Sequence, residues 1–121
     1  MSMSTQQVAS RLAELCRKGQ FEAAQKELFA DDAVSIEQQD TPGFPRETKG
    51  LGAIIEKGHK WETMLEQVHS CAASTPLVAG NSIAMTLAMD VTMKGRGRTK
   101  IEEVCVYQVR DGKISSEQFF M

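Results

Sequence analysis

Residues 83–94 alternate without a break. Ile83, Met85, Leu87, Met89, Val91 and Met93 are apolar, and Ala84, Thr86, Ala88, Asp90, Thr92 and Lys94 between them are small, polar or charged. A period of two sustained this long specifies a strand with one apolar face. Antiparallel sheets, with one face on a core and the other wet or lightly packed, carry this pattern. Gly95-Arg96-Gly97 then turns the chain, and residues 98–110 predict a second long strand. Asp111-Gly112 turns it again into a third strand, Lys113–Phe120. The C-terminal half therefore reads as an antiparallel meander.

Its register follows from the turns. A three-residue loop at 95–97, with Gly97 left-handed, is a favoured hairpin connection. It predicts one face carrying Met85, Leu87 and Met89 with Ile101, Glu103, Cys105, Tyr107 and Val109. Pairing Val109 with Ile114 across the second turn adds Ser116, Gln118 and Phe120 to that face. Glu103 is then expected between Met89 and Phe120. Ala84, Ala88, Val104, Val106 and Phe119 are left on the outer face.

The first half is helical in pattern. Ser4 and Gln7 have capping-box spacing, Val8, Leu12 and Leu15 form a stripe, and Gly19 suits a helix end. A second helix carries Phe21, Ala24 and Leu28 and is expected to stop near Asp31-Asp32. Val34–Gln38 predicts a short strand. Pro42, Gly43 and Pro45 make 40–49 a loop. Leu51, Ile54, Ile55, Trp61 and Leu65 fall near one face of a third helix. A strand over 68–74 is broken by Pro76, and Gly80-Asn81 marks a turn. With 121 residues and no linker or repeat, the chain is expected to form one α+β domain over 1–121, a cone of about three N-terminal helices on a curved antiparallel sheet.

Composition narrows the partners. The formal net charge is −2, so nothing draws the chain as a whole to nucleic acid or acidic membranes. No window is apolar enough to span a bilayer, and Met1–Gln7 lacks the apolar region of a signal peptide. Cys16, Cys71 and Cys105 have no paired spacing, which predicts free thiols in a reducing, cytoplasmic setting. Seven methionines against one Trp and one Tyr suit an adaptable pocket or a loosely specified core.

Two motifs carry a resemblance. Phe29-Ala30-Asp31-Asp32-Ala33-Val34 with Gly50 and Ala53-Ile54 is one, and Val104–Ile114, containing Tyr107 and Asp111-Gly112-Lys113, is the other. With the order of elements, they resemble the nuclear transport factor 2-like superfamily, nearest its SnoaL-like polyketide cyclase and ketosteroid isomerase-like members. The resemblance implies a cystatin-like cone (an α+β barrel in form) around an apolar pocket, and a homodimer joined through the outer sheet face. In ketosteroid isomerases a general-base Asp follows the Asp-Asp-Ala motif, and a Tyr and a protonated Asp hold the oxyanion. The base position looks like Glu37. The donor positions look like Leu12 and Cys105, so that oxyanion hole is missing and ketosteroid isomerisation is not expected.

Glu37 and Glu103 are the candidate catalytic pair. A carboxylate set among methionines should have a raised pKa, suited to acid/base work; a mouth position or a structural ion pair would explain Glu103 as well. Trp61, Met85, Leu87, Met89, Cys105, Tyr107, Gln118 and Phe120 are the candidate ligand-binding residues, with Ser116 a further donor. Trp61 and Phe44 could wall the entrance or simply pack. His59, Glu62, Glu66 and His69 match no metal signature, so no metal or organic cofactor is expected. A Cys105–His69 nucleophile pair would need the strands to bring them together. Lys94, Arg96, Arg98 and Lys100 form a basic hairpin tip, which reads as a solvated strand end. Two functions remain open: a pocket enzyme of isomerase, cyclase or lyase type acting on a small hydrophobic ligand, or a non-catalytic ligand-binding or dimeric interaction module.

Overall fold

Ser4 opens the first helix. Its hydroxyl accepts a bond from the Gln7 amide at 3.1 Å, and the Gln7 side chain accepts one from the Ser4 amide at 2.8 Å. This capping box pairs two donors that a helix start leaves free. It begins α1 (Thr5–Arg17) in the computed structural model, which describes residues 2–121. At the far end Gly19 is left-handed (φ 70°), and the Gly19 and Gln20 amides bond back to the Cys16 and Leu15 carbonyls. That is a Schellman ending, which glycine allows without strain. Val8, Leu12, Leu15 and Cys16 line the buried stripe of α1, and Ala24 and Leu28 that of α2 (Phe21–Leu28).

The second helix stops at Leu28, not at Asp31-Asp32. Phe29 is already extended (φ −88°, ψ 144°) and buried, and it pairs with Ile114. β1 (Phe29–Ile36) therefore begins at Phe29 rather than at the predicted Val34. After the loop come β2 (Glu47–Lys49) and α3 (Leu51–Glu62). Leu65 does not extend α3. It opens β3 (Leu65–Ala73) and pairs with Met93. The meander follows as β4 (Leu77–Ala79), β5 (Ser82–Met93), β6 (Gly97–Arg110) and β7 (Lys113–Phe120). β3 and β4 share the same edge of β5, and Pro76 falls between them. Proline cannot donate to a ladder, so the edge strand breaks there.

The sheet runs β2-β1-β7-β6-β5-β3, curved and unclosed, with the three helices packed on it. The α+β cone is as the sequence predicts. The sheet is not antiparallel throughout, however, because β1 lies parallel to β7. A parallel pair needs a long crossover, and here the whole intervening chain provides it.

The β5–β6 hairpin pairs Met93 with Gly97 (φ 85°), so its loop is 94–96. This differs by two residues from the predicted register. An even shift keeps every side chain on its face, so the predicted apolar face holds. Only the partner changes: Glu103 lies opposite Leu87, not Met89. β7 departs further. Val109 pairs with Ile114 as expected, but Gln108 pairs with Ser116, leaving Ser115 as an extra residue. This bulge flips the rest of the strand. Tyr107 faces Glu117 and Cys105 faces Phe119, so Glu117 and Phe119 point inward. Ser116, Gln118 and Phe120, all expected inside, stand on the outer face, where Phe120 is exposed.

The core lies between α1 and the inner sheet face. Val8, Leu12, Ile83, Met85, Cys105, Tyr107 and Ile114 all belong to it and are at most 4% exposed. Among the described residues no helix is long and apolar enough to cross a membrane.

Candidate active site

The parallel pairing of β1 with β7 sets Ser35 beside Glu117. Both are buried, and the Ser35 hydroxyl donates to Glu117 Oε2 at 2.6 Å. Lys57 reaches in from α3, one turn beyond the fully buried Ile54. Its ammonium donates to Ser35 Oγ at 2.6 Å and to Glu37 Oε2 at 3.0 Å, and lies 5.7 Å from the centre of the Phe119 ring. Glu37, Lys57, Ser35 and Glu117 thus form one continuous polar chain across three elements. Glu103 enters from β6, where the Cys105 thiol donates to it weakly at 3.7 Å. Among the described residues it has no stronger side-chain partner.

Burial dominates the electrostatics. It pushes Glu117 up to about 7, against the opposing pull of the Ser35 hydroxyl and the Lys57 charge. Burial also pushes Glu103 up to about 7, reinforced by the negative charge of Glu37. Each is therefore poised between acid and carboxylate near neutral pH. Burial raises the Cys16 thiol to about 12 and the Cys105 thiol further, and raises the Tyr107 phenol as well. These three stay protonated, so neither thiol is an activated nucleophile.

Of the predicted pair, Glu37 lies in the polar chain, while Glu103, among the described residues, bonds only Cys105 and feels the charges of Glu37, Glu117 and Lys57. Ser35, Lys57, Glu117 and Phe119 were missed by sequence reasoning. Ser35 and Glu37 share a face by the period of two, and that signal was available. Glu117 was hidden by the bulge. Of the predicted lining, Met85, Cys105 and Tyr107 are core, Leu87 is 8% exposed, and Met89 is half-buried. Trp61 is half-buried on the Lys57 face of α3, one turn on. Gln118 and Phe120 are outside and do not line the site.

The other candidates separate. His69 Nε2 meets Thr92 Oγ1 at 2.6 Å, whereas Cys105 bonds Glu103, so the two do not pair. His59 is held by Glu22 and Glu56 on the surface. Among the described residues no group of His, Cys, Asp and Glu is placed to hold a metal. At the hairpin, Arg98 pairs with Asp90 at 2.8 Å. Loop 40–49 lies along α3: Lys60 donates to the Gly43 carbonyl at 2.6 Å and sits 5.2 Å from the centre of the Phe44 ring. A cleft between them is bordered by Pro45, Thr48, Ala53 and Lys57, and Glu103 is not part of its lining.

A family model of the SnoaL-like domain matches residues 3–121. The chain belongs to the SnoaL-like family. A proposed SnoaL-like polyketide cyclase from Mesorhizobium loti, also labelled a carbohydrate phosphatase, is 31% identical over 98% of this chain and 100% of its own, with a TM-score of 0.90. A cystatin-like protein of unknown function from Xanthomonas campestris is 19% identical over 98% and 90%, with a TM-score of 0.79. IdmH, a proposed polyketide cyclase from Streptomyces antibioticus, is 17% identical over 98% and 91%, with a TM-score of 0.72. The last two show the fold alone. No curated protein matches the chain. The SnoaL-like fold hosts several chemistries, so the function has to be argued from the carboxylates.

Proposed function

We propose that this SnoaL-like protein binds a small hydrophobic carbonyl compound at the open end of its cone and moves a proton on it by carboxylate acid/base chemistry, as an isomerase, cyclase or lyase. The observation that supports this most is Glu103, a carboxyl near 7 on an apolar wall, within the electrostatic reach of Glu37. A group whose pKa matches the working pH both gives and takes protons efficiently. Glu103 exchanges the proton. Glu37, fixed by Lys57, is the second acid/base group. Lys57, Ser35 and Glu117 hold it in place and complete the polar wall, while Leu87, Met89, Phe119 and Trp61 supply apolar contact. The reaction class calls for no metal or organic cofactor.

A second reading keeps the binding and drops the chemistry. Its support is the filling of the deep cone by Met85, Cys105 and Tyr107, each at most 4% exposed, which confines any ligand to the mouth. Deuterium uptake at the α-carbon of a simple ketone such as cyclohexanone, followed by NMR in heavy water, separates the two. Wild type is expected to accelerate uptake, and Glu103→Gln to reduce that acceleration by about 10²–10⁴-fold. Uptake no faster than in buffer would leave the binding module standing.

The outer face supports a homodimer. Val104 and Phe120 are each 42% exposed and lie side by side, next to Ala84 and Val106. Adjacent exposed apolar side chains on a sheet face are what a second copy would cover. Light scattering should give twice the monomer mass, and Val104→Lys should halve it; a monomeric wild type at micromolar concentration rules this out. The three free cysteines support a reducing compartment, such as the cytoplasm.

A further inference from the structure

A cleft of about 510 Å³ lies between loop 40–49 and α3, within the size range of small-molecule sites. Gly43, Pro45 and Thr48 border it from the loop and β2, and Ala53, Lys57 and Lys60 from the helix. Glu37, Glu103 and Glu117 are not part of its lining. Thr48 pairs with Ser35 on β1, so the two side chains share a face, the one from which Lys57 reaches Ser35. Ser35 is paired there, with Lys57 and Glu117. Thr48 is not. Its Oγ1 is the one buried side-chain oxygen or nitrogen without a hydrogen-bond partner among the described residues. Burying an unpaired hydroxyl is unfavourable, and such a group calls for a partner.

The charges on the lining leave one cation over. Lys57 is bonded to Glu37 and Ser35. His59 lies between Glu22 and Glu56, and the Glu56 side chain is 78% exposed. Lys60 is in no ion pair among the described residues: its ammonium donates to the Gly43 carbonyl at 2.6 Å and lies 5.2 Å from the centre of the Phe44 ring. An ammonium has three N–H donors, so Lys60 keeps a free one together with its charge. The ammonium is also held in place. Gly43 is left-handed (φ 82°), and a Cβ there would stand 2.7 Å from Lys60 Nζ, so glycine lets the loop close on it.

We propose that this cleft binds a small organic monoanion, whose carboxylate accepts from the Lys60 ammonium and, after rotation about χ1, from the Thr48 hydroxyl. The apolar body of the ligand lies against Pro45 and Ala53. The site is separate from the acid/base centre and does not depend on it. Charge sets the ligand class. One free cation matches one negative charge, and the bond it makes is charge-assisted. A dianion such as phosphate brings a second charge that meets no partner and lies near Glu56. An uncharged amide leaves the Lys60 charge unmatched.

Benzoate, benzamide and inorganic phosphate test this at neutral pH, read from amide shifts in two-dimensional NMR of the full chain. Benzoate is expected to shift residues around Gly43, Thr48 and Thr63, and to bind about tenfold more tightly than either of the others. Lys60→Gln should abolish that preference. Because Lys60 also holds the loop through Gly43, Thr48→Val is the independent variant. It keeps the side-chain shape, loses the hydroxyl, and should weaken benzoate about fivefold in a chain that stays folded. Lys94→Ala, on the β5–β6 hairpin, should change nothing. Benzamide bound as tightly as benzoate overturns the charge selection, and phosphate bound as tightly overturns the choice of a monoanion. Benzoate shifts that gather around Glu103, or no shifts at millimolar benzoate, overturn the site itself.

Discussion

Titration of Glu117 alone is expected to lower stability by about 3 kcal/mol between about pH 5 and about pH 8. Its carboxyl is 5% exposed, and its pKa is raised from 4.5 to about 7 in the folded chain. Between those values the unfolded chain has released the proton and the folded chain retains it. The folded state then binds more protons, so raising the pH favours unfolding. The stabilisation is complete below about pH 4.5 and is gone once the pH passes about 7. Glu103, raised from 4.5 to about 7 by burial and by Glu37, acts in the same direction. Glu22, Glu27, Asp32 and Asp90 act oppositely. Each is held down by a hydrogen-bonded partner (Lys26 and His59, Arg11, Arg110 and Arg98 respectively), and their contribution is lost only at acid pH. They are surface groups, so their effect is small. Stability should therefore peak near pH 5. Urea denaturation across the range measures it, and Glu117→Gln should flatten the fall because an amide does not ionise. A wild-type curve that stays level or rises from about pH 5 to about pH 8 would show that Glu117 is not held protonated.

Ile114→Ala is expected to cost about 2–5 kcal/mol. Ile114 is fully buried, pairs with Val109 across the β6–β7 turn, and is the partner of Phe29 where β1 joins the sheet in parallel. It is also the last regular residue before the Ser115 bulge. Truncation removes apolar contact at a junction of three strands, where tight packing limits collapse around the cavity. A loss of that size is a large share of the total stability of a small domain. The urea midpoint should drop with little change in slope. Val68→Ala removes apolar atoms from a side chain 49% exposed on β3, is expected to have little effect, and so serves as the control. If the two substitutions prove equally mild, Ile114 is not the anchor its position implies.

Much of the fold could be read directly. Ser4, Gln7 and Gly19 bound α1 through local chemistry alone, and both ends were legible. The alternation through residues 83–93 set the inner face of β5, and that face survived a two-residue error in the hairpin loop because the period is even. Glu37 was singled out from the family resemblance and Glu103 from its place in the alternation, and the charge of Glu37 acts on Glu103. What failed is equally specific. Gln118 and Phe120 were placed inside because a bulge of one residue at Ser115 leaves no mark in the pattern: Ser115 and Ser116 are alike, and Glu117 reads as surface. Lys57 was overlooked because a lysine on an amphipathic helix is ordinarily solvated, and only its neighbours give it a different role.

The sequence by itself determined what depends on near neighbours: the caps of α1, the faces of β5 and β6, turns near Gly95 and at Asp111-Gly112, and through their order the SnoaL-like cone. Tertiary structure alone decided the site. Ser35 and Glu117 lie far apart in the chain and meet only because β1 enters the sheet parallel to β7, and the bulge turns Glu117 rather than Gln118 toward them. Period and propensity act over a few residues, whereas burial of a carboxyl, and hence its proton at neutral pH, depends on which distant strands close around it.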